Sequence, residues 1–191
     1  MRTALLVLIV ASGCVTTQPY VFRPTEAPNL TSENRAVARY VVPRALPRGE
    51  IFVTSDGVVD KNEAGQPGPV LHVRATLFNV AGEAPWAVDI RDQLVSLPGG
   101  AQLHASGVKT TVGGAPILTI APGERVAMDL YFTLPDSQQS ADRIPTFDFI
   151  WQVATDRKHA AGTVPFGRFD VDPPGAVRAT VATTAPAPMA F

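Results

Sequence analysis

The sequence predicts an all-β fold, an antiparallel β-sandwich between two disordered tails. Three observations carry this expectation. In the middle of the chain apolar residues recur at every second position, the spacing of a strand with one buried face. Pro-Gly pairs stand between these runs, and 18 prolines and 15 glycines in 191 residues punctuate the chain closely, as in a protein of many turns. No stretch longer than about ten residues shows helical spacing.

In chain order, Arg2 supplies a short positive start, and residues 4–11 (ALLVLIVA) form an apolar run. That run is far shorter than the roughly 20 residues needed to span a bilayer. Ser12 and Gly13 follow, then Cys14, the one cysteine of the chain. The stretch Val10-Ala11-Ser12-Gly13-Cys14 resembles the lipobox of bacterial lipoproteins, with Ala11 where that family prefers Leu. The resemblance implies a diacylglycerol on the Cys14 thiol and cleavage before it, which makes residues 1–13 a signal peptide. The chemistry agrees, because a thiol is a strong nucleophile and no second cysteine exists to divert it into a disulfide. Each buried CH₂ contributes about 0.8 kcal/mol; one acyl chain binds marginally, and two or three hold firmly. Val15 follows the cysteine in place of the Asp that marks inner-membrane retention in enteric bacteria. The expected address is therefore the bacterial cell envelope, as an outer-membrane lipoprotein facing the periplasm or the cell surface.

Residues 15–34 carry three prolines, several threonines and no periodicity, so 14–34 is expected to be the lipidated cysteine and a flexible linker. Asn29-Leu30-Thr31 has the letters of a glycosylation sequon, which has no use in a bacterial lipoprotein. The domain is expected over 35–171. Its clearest strands place Leu71, Val73, Ala75 and Leu77 on one face, with His72, Arg74 and Thr76 on the other. Val126, Met128, Leu130 and Phe132 alternate with Ala127, Asp129, Tyr131 and Thr133. Phe147, Phe149, Trp151 and Val153 form a third stripe. Shorter strands are expected at 38–42, 51–54, 86–90, 93–97, 102–104, 117–120 and 163–171. Pro98-Gly99 and Pro122-Gly123 suit type II turns, where proline presets the first φ and glycine supplies the positive second one. Residues 172–191 are rich in Ala, Pro and Thr and cannot bury enough apolar surface to offset chain entropy, so a disordered tail is expected.

The strand ending Leu77-Phe78-Asn79, the later Gly82, the strand through Val88, the run 118–124 (LTIAPGE) and the closing Phe132-Thr133-Leu134-Pro135 together resemble a known family. It is that of the immunoglobulin-like domains of unknown function in bacterial lipoproteins, matched over about residues 70–153. The resemblance implies an immunoglobulin-like sandwich outside the cytoplasm and brings no catalytic residues with it. With a single cysteine no disulfide can brace the core, so Phe132, Phe147, Phe149 and Trp151 are expected to form its bulky centre.

The search for chemistry mostly excludes. A formal net charge of −1 gives no footprint for nucleic acid, and no polybasic stretch would hold anionic lipid. His72, His104 and His159 are far apart in sequence, and His72, on the polar side of its strand, is expected to be solvated. Copper on His72, His104 and Met128 is opposed by the core position of Met128. No G-x-S-x-G occurs, and an acylated Cys14 is no catalyst. Asp89 and Asp92 flank Arg91, and a second acidic group gathers at Asp56, Asp60 and Glu63. Asp60, Asn62 and Glu63 offer oxygens for calcium but lack EF-hand spacing, so that stretch reads as a solvated loop. Gly113-Gly114 has neither the lysine nor the helix of a phosphate loop. No catalytic residue, metal ligand or cofactor is expected, and Cys14 is the one site residue. The function expected is a non-enzymatic, lipid-anchored binding or structural module. Its partners are the membrane, through Cys14, and an envelope protein met at a sheet edge or end loops. The alternative is a periplasmic lipoprotein that binds a small ligand or a metal.

Overall fold

Period-two alternation becomes two antiparallel sheets stacked on their apolar faces. The computed structural model describes residues 20–26, 31–32, 35–61, 67–81, 83–113, 116–136, 144–155 and 158–171. The expected signal peptide, Cys14 and the 172–191 tail lie outside the described residues.

The strands are β1 (Tyr20–Pro24), β2 (Thr31–Ser32), β3 (Arg35–Ala36), β4 (Ala38–Val42), β5 (Gly49–Lys61), β6 (Pro67–Phe78) and β7 (Trp86–Asp89). They continue with β8 (Leu94–Ser96), β9 (Gln102–His104), β10 (Gly107–Thr110), β11 (Ile117–Ile120), β12 (Arg125–Thr133), β13 (Thr146–Ala154) and β14 (His159–Asp170). One sheet runs β1-β14-β13-β7-β11, with β8 beside β13 and β9 beside β8; the other runs β10-β12-β6-β5-β4. β2 and β3 form a small separate hairpin. The result is an immunoglobulin-like antiparallel β-sandwich. The three strong stripes face inward as their alternation requires: Leu71, Val73, Ala75 and Leu77 of β6, Val126 to Phe132 of β12 and Phe147 to Val153 of β13 all contribute buried residues. Phe132, Phe147, Phe149 and Trp151 are buried as expected, joined by Trp86 and Phe166, with Phe147 and Phe166 stacked at 4.7 Å.

β2 falls within the stretch expected as linker, β6 and β14 begin earlier than expected, and three further parts differ more. Residues 20–24 belong to the domain and not to the tether, pairing along β14 from Tyr20↔Asp170 to Pro24↔Phe166. Tyr20 and Phe22 are buried while Val21 and Arg23 face out, and Phe22 meets Phe147 edge-on at 5.2 Å. The flanking prolines concealed this strand, but an edge strand tolerates proline, whose missing N–H has no neighbour to serve. Residues 55–61, expected as loop, continue β5 past a bulge, because the pairing steps from Thr54↔Arg74 to Gly57↔His72 and leaves one extra residue. Gly57 takes φ +78° there, the region glycine enters without strain. β10 was also missed: its short run GVKT has too little alternation to stand out.

Strands 86–90 and 93–97 prove to be two pieces laid along β13, β7 meeting Ala154 and β8 meeting 148–150. A 3-10 turn at Ile90–Asp92 separates them, and the Asp89 carboxylate caps it by accepting from the Arg91 backbone N–H. The buried Gln93 amide repairs the interrupted ladder. It donates to the carbonyls of Asp89 and Gln152 and accepts from the Gln152 N–H. The Pro-Gly turns behave as expected, with Gly99 at φ +92° and Gly123 at φ +80°. Buried Asn79 donates to the carbonyls of Ala84 and Ile120, tying the β6–β7 connection to the end of β11.

Candidate functional site

The outer face of the five-stranded sheet holds the most concentrated charge chemistry among the described residues. Its register aligns side chains in rows across four strands. One row runs Arg39 (β4), Phe52 (β5), Thr76 (β6), Ala127 (β12). The next runs Thr54, Arg74, Asp129, Lys109 across β5, β6, β12 and β10, and a third pairs Gly57, His72 and Tyr131. Residues spaced by two on each strand are thereby stacked on one face.

His72 is the centre of the face. It was expected in solvent, yet it is 5% exposed. The bulge in β5 causes this, because the extra residue lets Asp56 swing over the ring. His72 Nδ1 lies 3.0 Å from Asp56 Oδ2 and His72 Nε2 lies 3.1 Å from Asp129 Oδ1. Tyr131 covers the ring with centroids 5.2 Å apart. Ser55 locks the bulge, donating to the His72 carbonyl at 2.5 Å and accepting from the Gly57 N–H at 2.9 Å. An imidazolium donates to both carboxylates, whereas a neutral ring can turn its Nδ1 lone pair to the Asp56 backbone N–H, 3.4 Å away. Burial lowers the His72 pKa, but the hydrogen bonds to Asp129 and Asp56 and their charges outweigh it and leave it raised. For Asp56 and Asp129 burial pushes upward, and the His72 hydrogen bond with the neighbouring cations brings both below the usual carboxylate range. Arg35 pairs with Asp56 at 2.9 Å, and Arg74 stands 3.7 Å from Asp129.

Beside this network lies a groove of about 420 Å³. Its floor is Phe52, Thr54, Thr76 and Ala127, and Arg35, Arg39, Arg74 and Arg125 stand around it. Thr31 and Arg35 bring the β2–β3 hairpin to its wall. A second hollow of about 410 Å³ continues over His72, Asp129, Tyr131 and Lys109, sharing Arg35 and Arg74 with the first. Arg39 pairs with Glu50. Arg125 lies over the Phe52 ring at 5.8 Å, with no carboxylate within ion-pair distance among the described residues.

Other sequence candidates do not converge. Met128 faces the core and His72 the opposite side of the same sheet, so they cannot share an ion, and His104 lies in the other sheet. Asp89 binds Arg91 through both oxygens at 2.9 and 2.6 Å, the structural pair of the 3-10 turn. Asp56 leaves the expected acidic loop for the His72 network; Asn62, Glu63 and the side chain of Asp60 lie outside the described residues. The described residues hold no cluster of three His, Cys, Asp or Glu suited to a metal ion. A wider cleft of about 770 Å³ opens between β4 and the first half of β14, lined by Tyr40, Trp151 and Gly162 among others. Its wall mixes the aliphatic stretch 41–43 and the small residues 160–162 with the charged side chains of Glu26, Arg39, Arg44 and Lys158. The groove was not legible beforehand because its arginines are distant in sequence; the sole hint was the run of ionisable residues on the polar sides of β6 and β12.

No protein-family model matches the sequence, and no curated protein matches it. Among solved structures, the chain is similar to the structural-genomics target SoR45, at 14% identity over 68% of this chain and 90% of that one, with a TM-score of 0.38. It is also similar to MPT63, a secreted protein from Mycobacterium tuberculosis, at 12% identity over 65% and 88%, with a TM-score of 0.32. The GAE domain of GGA2p from Saccharomyces cerevisiae gives 10% identity over 71% and 98%, with a TM-score of 0.30. None of these names bears on the function of this chain.

Proposed function

We propose that this chain is a non-enzymatic binding module of the bacterial cell envelope, anchored by lipid on Cys14 and binding its ligand on the open face of the five-stranded sheet. The observation that carries the binding part is the arginine-walled groove of about 420 Å³, within the size range of small-ligand sites. An ordinary solvated sheet face needs neither a groove nor a buried ion network beside it. Among the described residues Ser55, the serine nearest His72, donates to a backbone carbonyl and not to the ring, so it forms no nucleophile–base pair. The anchor is supported by the order of signals at the N-terminus: a positive residue, a short apolar run, two small residues and a lone cysteine.

Two measurements test the two parts. Cells expressing the chain and fed an alkyne fatty acid should label it, and Cys14→Ser should remove the label; continued labelling refutes the anchor. A small-molecule library of acidic, basic and neutral compounds at millimolar concentration should contain ligands that raise the melting temperature. A library in which none does so refutes the binding reading.

A further inference from the structure

We infer that the groove beside His72 is a site for a small multivalent oxyanion, a molecule carrying two or more phosphate or carboxylate groups. This rests on the binding reading above and names its ligand class. Four arginines from four different strands, Arg35 on β3, Arg39 on β4, Arg74 on β6 and Arg125 on β12, meet around one groove. A guanidinium presents paired N–H donors whose spacing matches the two oxygens of a carboxylate or phosphate, so this is the residue type such groups select.

The charges are incompletely matched within the protein. Glu50, Asp56 and Asp129 are the carboxylates paired with this set among the described residues. Asp56 and Asp129 are already engaged by the two nitrogens of His72. Arg35 and Arg74 thus share carboxylates with the His72 ring, and Arg74 keeps its partner only at 3.7 Å. Among the described residues the four arginines face three carboxylates, two of which His72 also engages, and Lys109 stands opposite Asp129 as a further cation. The excess lies where Arg125 leans over Phe52 with no acidic partner among the described residues. The floor suits the rest of a ligand: the Thr54 and Thr76 hydroxyls can bond oxygens, and the Phe52 ring offers a flat apolar surface. His72 acts here as a positioning residue. Held between two carboxylates, it withdraws their charge from the groove and fixes the strand bulge that brings Asp56 to Arg35.

The test is calorimetric titration of the full chain in detergent micelles with four probes: pyrophosphate, citrate, uncharged trehalose, and vesicles of phosphatidylglycerol. Pyrophosphate or citrate should bind with one site per chain, and trehalose should not. Arg125→Gln, an exposed position whose change leaves the fold intact by circular dichroism, should weaken binding at least tenfold. Arg39→Gln should weaken it as well, and Arg91→Gln, on the other sheet, should leave it unchanged. Equal binding by wild type and Arg125→Gln overturns the assignment. So does binding to vesicles without binding to free pyrophosphate or citrate, which would make the ligand a bilayer surface. Trehalose binding without oxyanion binding overturns the anionic class while the binding reading stands, and that reading falls only if the broader library yields no ligand.

Discussion

Replacing His72 by leucine tests the ion network most directly. Leucine fills the space of the ring but leaves the carboxylates of Asp56 and Asp129 without the donor between them. Removing one partner of a buried, hydrogen-bonded charge pair typically costs about 3–5 kcal/mol. Here the loss is smaller, because the carboxylate side chains keep 32% and 17% of their exposure and retain Arg35 and Arg74 as second partners. About 2 kcal/mol is expected, which lowers the melting temperature of a domain of this size by roughly 4–8 °C. The loss depends on pH. A raised folded-state pKa makes His72 stabilising below the unfolded histidine value near 6.5, and that stabilisation fades as pH rises through the folded value. The lowered values of Asp56 and Asp129 make them stabilising above about pH 4, with loss as pH falls through their folded values. Arg35, Arg74 and Lys109 are the other charges around the ring, and the Tyr131 pKa is raised by burial, then by Asp129 and Asp56. The difference between wild type and His72→Leu, followed by thermal denaturation, should therefore be greatest between about pH 4 and 6.5 and shrink towards pH 9. Adding Asp56→Asn and Asp129→Asn should recover part of the loss, since no carboxylate is then left facing the leucine, while Arg35 and Arg74 lose their partners. Equal melting temperatures at pH 5.5, or a difference that grows with pH, would refute the imidazolium between two carboxylates.

The remaining predictions concern packing. A Cβ on Gly49 would stand 2.1 Å from the Phe78 carbonyl oxygen and 2.5 Å from Trp86 Cη2. Gly49→Ala should cost about 3 kcal/mol by urea denaturation, the upper end for overpacking, because the backbone of β6 cannot yield without opening the ladder. Gly162→Ala meets the Trp151 ring at 2.4 Å and should cost less, since a side chain can shift; a Gly49→Ala protein as stable as wild type contradicts this placement. Trp151 is buried and lies edge-on to Tyr40 at 5.6 Å, so Trp151→Ala should cost about 3–5 kcal/mol and melt the domain well below wild type. An unchanged melting temperature would remove Trp151 from the core.

The sequence by itself determined the all-β class and most of the inward faces. Alternation is a local signal: Leu71, Val73, Ala75 and Leu77 share a side through backbone geometry alone, whatever sheet they join. The turns were legible for the same reason, because Gly99 and Gly123 answer a local demand for positive φ. Tertiary structure decided the rest. β1 became a strand because β14 offers it an edge and the core accepts Tyr20 and Phe22, neither of which the proline-rich stretch announces. The charged face depended on register and on one extra residue in β5. A net charge of −1 showed no basic patch, since arginines at 35, 39, 74 and 125 are dispersed in the chain and meet only when four strands align. His72 looked solvated because its own strand places it on the polar side; Asp56, 16 residues earlier, and Asp129, 57 residues later, bury it. Facing is set within a strand, whereas partnership is set between strands, and the groove is made entirely of partnerships.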